Sequence, residues 1–91
     1  MRNNLQPLYY AIIEHFKGAV EDCAQGVVET LSRDYAGYKL LNEKDVAEAL
    51  ATAKENGILE EAGYGVDAEG ELVINYHMSD FGKEMVTRYL R

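Results

Sequence analysis

The sequence predicts an α+β fold in which three N-terminal helices, a two-stranded β-hairpin and a C-terminal helix form one domain over residues 1–91. Three observations support this prediction. Apolar residues recur at helical spacing through the first half of the chain, and the spacing changes to strict alternation after Gly57. Ser79, followed by Asp80, is then typical of the start of a last helix. A chain of this length can bury one modest core.

The first two helices are predicted over residues 6–17 and 19–32. Pro7 fits the first turn of the first helix, where its missing N–H leaves no helical hydrogen bond unmade. Gly26 lies inside the second helix, where we expect its missing side chain to leave room for a close neighbour. The apolar stripes of the two helices are Leu8, Tyr9, Ile12, Ile13 and Phe16, and then Val20, Cys23, Ala24, Val27, Val28 and Leu31.

A third helix is predicted between Asn42 and Gly57. The side chain of Asn42 can accept a hydrogen bond from a free backbone N–H, and glycine is the usual residue after a helix end. The inward face of this helix is predicted to be Val46, Ala49, Leu50 and Ala53. Residues 33–41 stay unassigned, because their apolar side chains favour burial while Gly37 favours a turn.

Two strands and a helix follow. Residues 58–66 and 71–77 are predicted to be the strands, because apolar residues alternate in a strand-like pattern. Residues 67–70 between them have the composition of a turn. Ser79 is predicted to cap the last helix, whose core-facing residues are expected to be Phe81, Met85, Tyr89 and Leu90.

Charge is the bulk property that bears most on function. Sixteen acidic residues against nine basic ones give a formal net charge of −7. Proteins that bind nucleic acid usually carry a basic face, because neutralising phosphate supplies most of their non-specific affinity. The sequence has no run of about 18 apolar residues that would predict a membrane span. A lone Cys23 cannot form an internal disulfide, so we expect a cytoplasmic protein.

Catalytic and metal sites are not expected. His15, Cys23 and His77 are the strongest candidates for nucleophile or imidazole chemistry. No recognisable catalytic motif accompanies them, and a cysteine on an apolar helical stripe is more often buried and inert. Structural zinc takes four ligands at short paired spacings, which this sequence lacks. We therefore predict that the protein is not an enzyme and has no cofactor.

Two local patterns connect the sequence to a known family. In residues 53–60, a glycine ends a helix and an apolar strand follows. In residues 76–83, a capping serine precedes a glycine and a base. At this separation, the two patterns resemble the recognition-helix exit and the wing exit of a winged helix-turn-helix, a fold common among transcriptional regulators. The resemblance covers roughly residues 42–90, and it implies that the third helix enters the major groove of DNA and that the hairpin is the wing.

The surfaces that the resemblance would place against DNA have the wrong chemistry for that ligand. Neither the third helix nor the wing supplies an Arg or Gln for the usual paired contact with guanine or adenine. The outward positions of the third helix are Glu43, Lys44, Ala47, Glu48, Ala51, Thr52 and Glu55. The wing carries Glu60, Glu61, Asp67, Glu69 and Glu71. A cluster of carboxylates repels a phosphate backbone.

These observations predict a non-enzymatic winged-helix module of the transcriptional-regulator type whose DNA binding is weak or lost. If DNA is bound, the candidate contact residues are Lys39, Lys44, Thr52 and Lys54. The alternative is a protein-interaction domain whose acidic surface meets a basic partner, with no role for DNA.

Tyrosines suggest a second surface. Tyr9 and Tyr10 are adjacent, so on a helix they point about 100° apart and cannot both face the core. With Tyr89 they are candidates for an aromatic interface, since tyrosine is enriched where proteins meet. Winged-helix proteins often dimerise through their first and last helices, so the resemblance implies a homodimer or a partner interface here.

Overall fold

A computed structural model of the chain describes residues 7–18 and 20–89. The predicted starts of the first two helices, at residues 6 and 19, lie outside this description, as do Leu90 and the side chain of Tyr89. The α+β class is confirmed, with four helices and one three-stranded antiparallel sheet in the described ranges. The elements are α1 (Leu8–His15), β1 (Glu21–Asp22), α2 (Ala24–Tyr35), α3 (Glu43–Glu55), β2 (Leu59–Val66), β3 (Leu72–Met78) and α4 (Asp80–Tyr89).

The sheet has one strand more than the sequence predicts. Its strand order is β1-β3-β2, so β3 lies in the centre. β2 and β3 form the predicted hairpin and pair along the full length of both strands, with one irregularity in register. β1 adds two residues on the other side of β3, where Glu21 pairs with His77 and Asp22 pairs with Tyr76. The predicted two-stranded hairpin is therefore part of a three-stranded sheet.

The predicted start of the second helix is wrong. α2 begins at Ala24, because the preceding residues are held in the sheet and by one carboxylate. Asp22 Oδ1 accepts the backbone N–H of Cys23 at 2.8 Å, and Asp22 Oδ2 lies 2.8 Å from His15 Nε2. Gly26 makes this arrangement possible, since a Cβ there would lie 2.0 Å from Asp22 Oδ1. The close neighbour expected beside Gly26 is thus the Asp22 side chain.

The segment that the sequence leaves unassigned contains a helix end and a turn. α2 continues through Tyr35, whose side chain is buried. The chain then turns at Gly37, which adopts a φ of 86°. Tyr38 and Leu40 are exposed, so Tyr35 is the one tyrosine of this segment that is removed from solvent.

The third helix matches its prediction closely. Asn42 caps α3, because its side-chain oxygen accepts the backbone N–H of Asp45 at 2.8 Å. Val46, Leu50 and Ala53 are buried, and Ala49 packs against the same core. Burying these apolar side chains removes them from water and fixes the helix against the rest of the domain. The core that they join includes Ile12, Ile13, Phe16, Val27, Leu59, Tyr76, Met78 and Val86.

One junction ties the end of α3 to the base of the hairpin and the start of α4. The hydroxyl of Ser79 donates to the Gly57 carbonyl at 2.5 Å and accepts the Gly82 N–H at 2.9 Å. The backbone N–H of Ser79 donates to the Ile58 carbonyl at 2.9 Å. Ser79 is buried. The predicted cap is confirmed, and it also holds two distant parts of the chain together.

The predicted inward position of Phe81 is wrong. Its side chain is 52% exposed and lies over Gly57, 3.6 Å from where a Cβ would stand. α4 instead approaches the hairpin base through Gly82, because a Cβ at that residue would lie only 2.2 Å from the Ile58 carbonyl oxygen. Val86 is buried on the same helix and Met85 is half-buried. The glycine contact therefore sets which side of α4 faces the core.

We predict that Gly82→Ala destabilises the fold by about 1–3 kcal/mol, because the added methyl group overlaps the Ile58 backbone. Alanine favours a helix intrinsically, so a loss of stability would report this overlap. Urea unfolding followed by circular dichroism measures the change. The matched control is Gly63→Ala, where a Cβ meets no atom within 4 Å and we expect a change within about 0.5 kcal/mol. Equal stability of Gly82→Ala and the wild type would contradict the junction.

Candidate nucleic-acid interface

The outward face of α3 is exposed and mixed in charge. All the positions expected to point outward are exposed, and they are Glu43, Lys44, Ala47, Glu48, Ala51, Thr52 and Glu55. Lys44 stands in the first turn of α3 and Lys54 in the last turn, so the two bases lie at opposite ends of the helix. The middle of the face offers small or acidic side chains, which leaves no long donor for a base edge.

The tip of the wing is organised by Asp67. Asp67 Oδ1 accepts the backbone N–H groups of Glu69 and Glu71, both at 2.9 Å. Gly70 completes the turn with a φ of 82°, and its N–H donates to the Asp67 carbonyl at 3.0 Å. Asp67 thus has a structural role in the turn, while Glu69 and Glu71 are exposed. Acidic groups therefore surround the turn of the wing.

Lys54 is engaged with the wing. Its Nζ lies 3.3 Å from Glu61 Oε2, and the hydroxyl of Tyr64 donates to the same carboxylate. The hydrogen bond with Glu61 raises the pKa of Lys54 above its ordinary value. The hydrogen bond from Tyr64 lowers the pKa of Glu61. One of the four candidate DNA contacts is therefore already paired with a carboxylate.

The remaining candidate contacts do not form one patch. Lys39 precedes α3, and its carbonyl accepts the side-chain N–H of Asn42 at 3.0 Å. Lys44 borders the cleft beside the wing, whereas Thr52 borders a different cleft between α1 and α3. Lys39 and Lys44 thus flank the start of α3 on either side of its cap. On the wing, Glu60 lies 3.0 Å from the imidazole of His77 on the neighbouring strand.

Three exposed apolar side chains of the wing are not among the site residues predicted from the sequence. Val66 pairs with Leu72 and Tyr64 pairs with Ile74, so the four side chains lie on one face of the hairpin. Tyr64, Val66 and Leu72 are each about two-thirds exposed, at 65%, 69% and 65%. The sequence does indicate this apolar face, because the apolar alternation through Leu72 and Ile74 continues beyond the part of β3 that the core covers.

A cleft of about 380 Å³ lies between this hairpin and the start of α3. β3 supplies Leu72, Val73 and Ile74 to its wall, and α3 supplies Lys44 and Ala47. The N-terminal residues of α2 close one end. The cleft separates the two surfaces that the winged-helix resemblance would place against DNA.

The other residues named from the sequence have structural surroundings. His15 is paired with Asp22, and Cys23 is the residue before α2. Within the described residues, no group of three or more His, Cys, Asp or Glu side chains could hold a metal ion. No helix in the described ranges is long and apolar enough to cross a membrane.

The tyrosines proposed for an interface differ in exposure. Tyr10 is 45% exposed, while Tyr9 is half-buried. Their rings lie 6.5 Å apart, and the Tyr9 hydroxyl is buried without a hydrogen-bond partner among the described atoms. The side chain of Tyr89 lies outside the description, so the interface formed by the three tyrosines stays a prediction.

Three helices, a hairpin after the third helix and a closing helix define a winged helix-turn-helix. Solved structures of transcriptional regulators share this fold. PadR from Bacillus subtilis, solved in complex with operator DNA, superposes with a TM-score of 0.73 at 14% identity, covering 93% of this chain and 47% of that one. A putative transcriptional regulator from Thermoplasma acidophilum superposes with a TM-score of 0.68 at 16% identity, covering 90% of this chain and 75% of that one.

A PadR-like transcriptional regulator from Bacillus cereus is also similar, with a TM-score of 0.66 at 17% identity, and the match covers 91% of this chain and 77% of that one. The chain spans about half the length of the Bacillus subtilis protein. No protein-family model matches the sequence, and no curated protein matches it significantly. The winged-helix prediction is confirmed at the level of the fold.

We predict that Glu61→Gln lowers the pKa of Lys54 towards its ordinary value, because the hydrogen bond with Glu61 is the largest cause of its rise. An NMR titration of the Lys54 side chain measures this change. Glu55→Gln is the matched control, since Glu55 acts on Lys54 only through a smaller coulombic contribution. Equal shifts in the two variants would show that Glu61 is not the principal partner of Lys54.

Proposed function

We propose that the chain is a non-enzymatic winged-helix module of the transcriptional-regulator type, in which DNA binding is weak or lost. The observation that carries this proposal is the chemistry of the α3–wing surface. We define that surface as the outward side chains of α3 together with the wing carboxylates Glu60, Glu61, Asp67, Glu69 and Glu71. In this fold, the same surface would lie closest to a DNA duplex.

Electrostatics argues against tight binding to phosphate. Lys54 is paired with Glu61, so its charge is compensated locally. Lys39 and Lys44 are the candidate phosphate contacts that remain at the start of α3. Two contacts imply a slope of about −2 for log affinity against log salt, whereas efficient DNA binders make about 6–10 such contacts. The residual attraction is therefore small and is opposed by the carboxylates on the wing.

The fold supports the regulator class. The Bacillus subtilis protein was solved with operator DNA. Because it is only 14% identical to this chain, the similarity is limited to the fold. Function in this fold depends on the residues placed on it rather than on the backbone arrangement. A winged-helix backbone with an acidic face fits a regulatory module that contacts DNA weakly or contacts another protein.

A second candidate function is supported by the exposed apolar face of the wing. Leu72 and Val66 are exposed beside the acidic turn, a combination that suits a protein partner with basic and apolar side chains. In that case the chain would be a protein-interaction domain with no role for DNA. Tyr9 and Tyr10 remain our proposal for contact with a second copy or another partner.

We expect the protein to bind a labelled mixed-sequence duplex more weakly than about 10⁻⁴ M near physiological salt, the weak limit of ordinary non-specific binding. Fluorescence anisotropy at low and near-physiological salt measures the affinity. Lys44→Glu should remove whatever binding appears at low salt, and Glu84→Gln on exposed α4 is a control outside the surface. Sub-micromolar, salt-sensitive binding by the wild type would refute weak or lost DNA binding.

A further inference from the structure

The cleft beside the wing opens onto an unpaired strand edge. β2 pairs with β3 along its whole length, but β1 pairs with β3 only at Tyr76 and His77. Residues 72–75 of β3 therefore have no strand beside them on the side away from β2 in the described chain. The chain leaves the sheet after Asp22 to form α2, which ends the short strand.

The lining of the cleft shows that this edge is accessible. Leu72 and Ile74 point to one face of the hairpin and Val73 points to the other, because successive side chains of a strand alternate. All three line the same cleft of about 380 Å³. Cys23, the residue after β1, borders the same cleft, so the cleft lies on the side of β3 that β1 leaves open. Its far wall is the start of α3, where Ala47 is small and exposed.

The chemistry of the cleft favours a basic and apolar ligand. Its walls are apolar at Leu72, Val73 and Ile74, and Leu72 is 65% exposed. Its charged rim consists of Glu43, Lys44, Asp67 and Glu71, so carboxylates outnumber the single ammonium group. The whole chain carries a net charge of −7, which attracts basic partners over a longer range.

We propose that this cleft binds an extended segment of a partner protein, in which apolar side chains alternate with lysine or arginine, as an added strand on the open edge of β3. Main-chain hydrogen bonds to an exposed edge provide affinity in this mode of recognition, and the side chains provide selectivity. The added strand would continue the line of β1. Its apolar side chains would contact Leu72 and Ile74, and its bases would lie near Glu71.

This inference rests on the second candidate function and deepens it, because it names the site and the binding mode of a basic and apolar partner, and neither depends on whether DNA is bound. The two proposals also have separate readouts. Duplex binding tests the regulator proposal, and peptide binding tests the cleft. Failure of one leaves the other measurable.

The probe is a fluorescent peptide of about six residues, the length of an ordinary strand, in which valine and lysine alternate. Anisotropy with the full chain measures its affinity. Two peptides of equal length serve as comparisons: one alternates valine with glutamate, and the other keeps lysine but carries an N-methyl group on every backbone amide. We expect both to bind at least about tenfold more weakly, because one loses the charge match and the other loses strand hydrogen bonds.

Ala47→Arg tests the location, because a long side chain there fills the cleft. The matched control is Ala51→Arg, which adds the same side chain to an exposed position of α3 that does not line the cleft. We expect Ala47→Arg to weaken the valine–lysine peptide by about tenfold or more, and Ala51→Arg to stay within about twofold. Circular dichroism confirms that both variants are folded.

Four results would overturn the proposal. The first is an affinity for the valine–lysine peptide weaker than about 1 mM, which is beyond the range of specific recognition. The second is equal binding of the lysine and glutamate peptides. The third is no effect of N-methylation, and the fourth is equal effects of the two alanine substitutions.

Discussion

The hydrogen bonds of Ser79 are the constraint on which the winged-helix arrangement depends. A single buried hydroxyl bonds the Gly57 carbonyl at the end of α3 and the Gly82 N–H in the first turn of α4. A buried polar group that loses its partner costs about 1–3 kcal/mol, so these bonds favour one relative position of helix, hairpin and closing helix. The close approach of Gly82 to the Ile58 backbone fixes the same geometry sterically. These contacts therefore fix the orientation of the wing relative to α3, independently of the side chains on the wing's surface.

The same geometry holds the carboxylates of α3 and the wing on the surface that we propose would face a duplex. The backbone matches solved regulators with TM-scores of 0.66 to 0.73, while the identities stay between 14% and 17%. The buried contacts of this chain therefore determine its fold, whereas its exposed residues determine the chemistry of its surface. Lys54 illustrates the point, because Glu61 pairs with it on the wing and compensates its charge. Leu72 is likewise exposed at the cleft, where we propose that a segment of a partner protein binds.

Much of the fold followed from local sequence rules, whereas the errors came from long-range contacts. The Asn42 cap, the buried face of α3 and the Ser79 cap depend on residues a few positions apart, which periodicity and capping preferences can detect. The start of α2 could not be found in this way, because Asp22 is held by a sheet partner far along the chain and by His15. The acidity of the surface was evident from composition, but the pairing of Lys54 and the open edge of β3 required the tertiary arrangement.

We propose that carboxylates on the α3–wing surface, rather than the fold, limit DNA binding. The most direct test reverses three of them and measures the affinity for a labelled duplex by anisotropy at two salt concentrations. The variant carries Glu48→Lys, Glu55→Lys and Glu69→Lys. The control makes the same charge change on other exposed sites, and it carries Glu29→Lys, Asp34→Lys and Glu84→Lys. We predict that the first variant gains salt-dependent binding at least about tenfold tighter than the wild type and the control. Equal affinity of the two variants, or wild-type binding as tight as that of the first variant, would contradict this proposal.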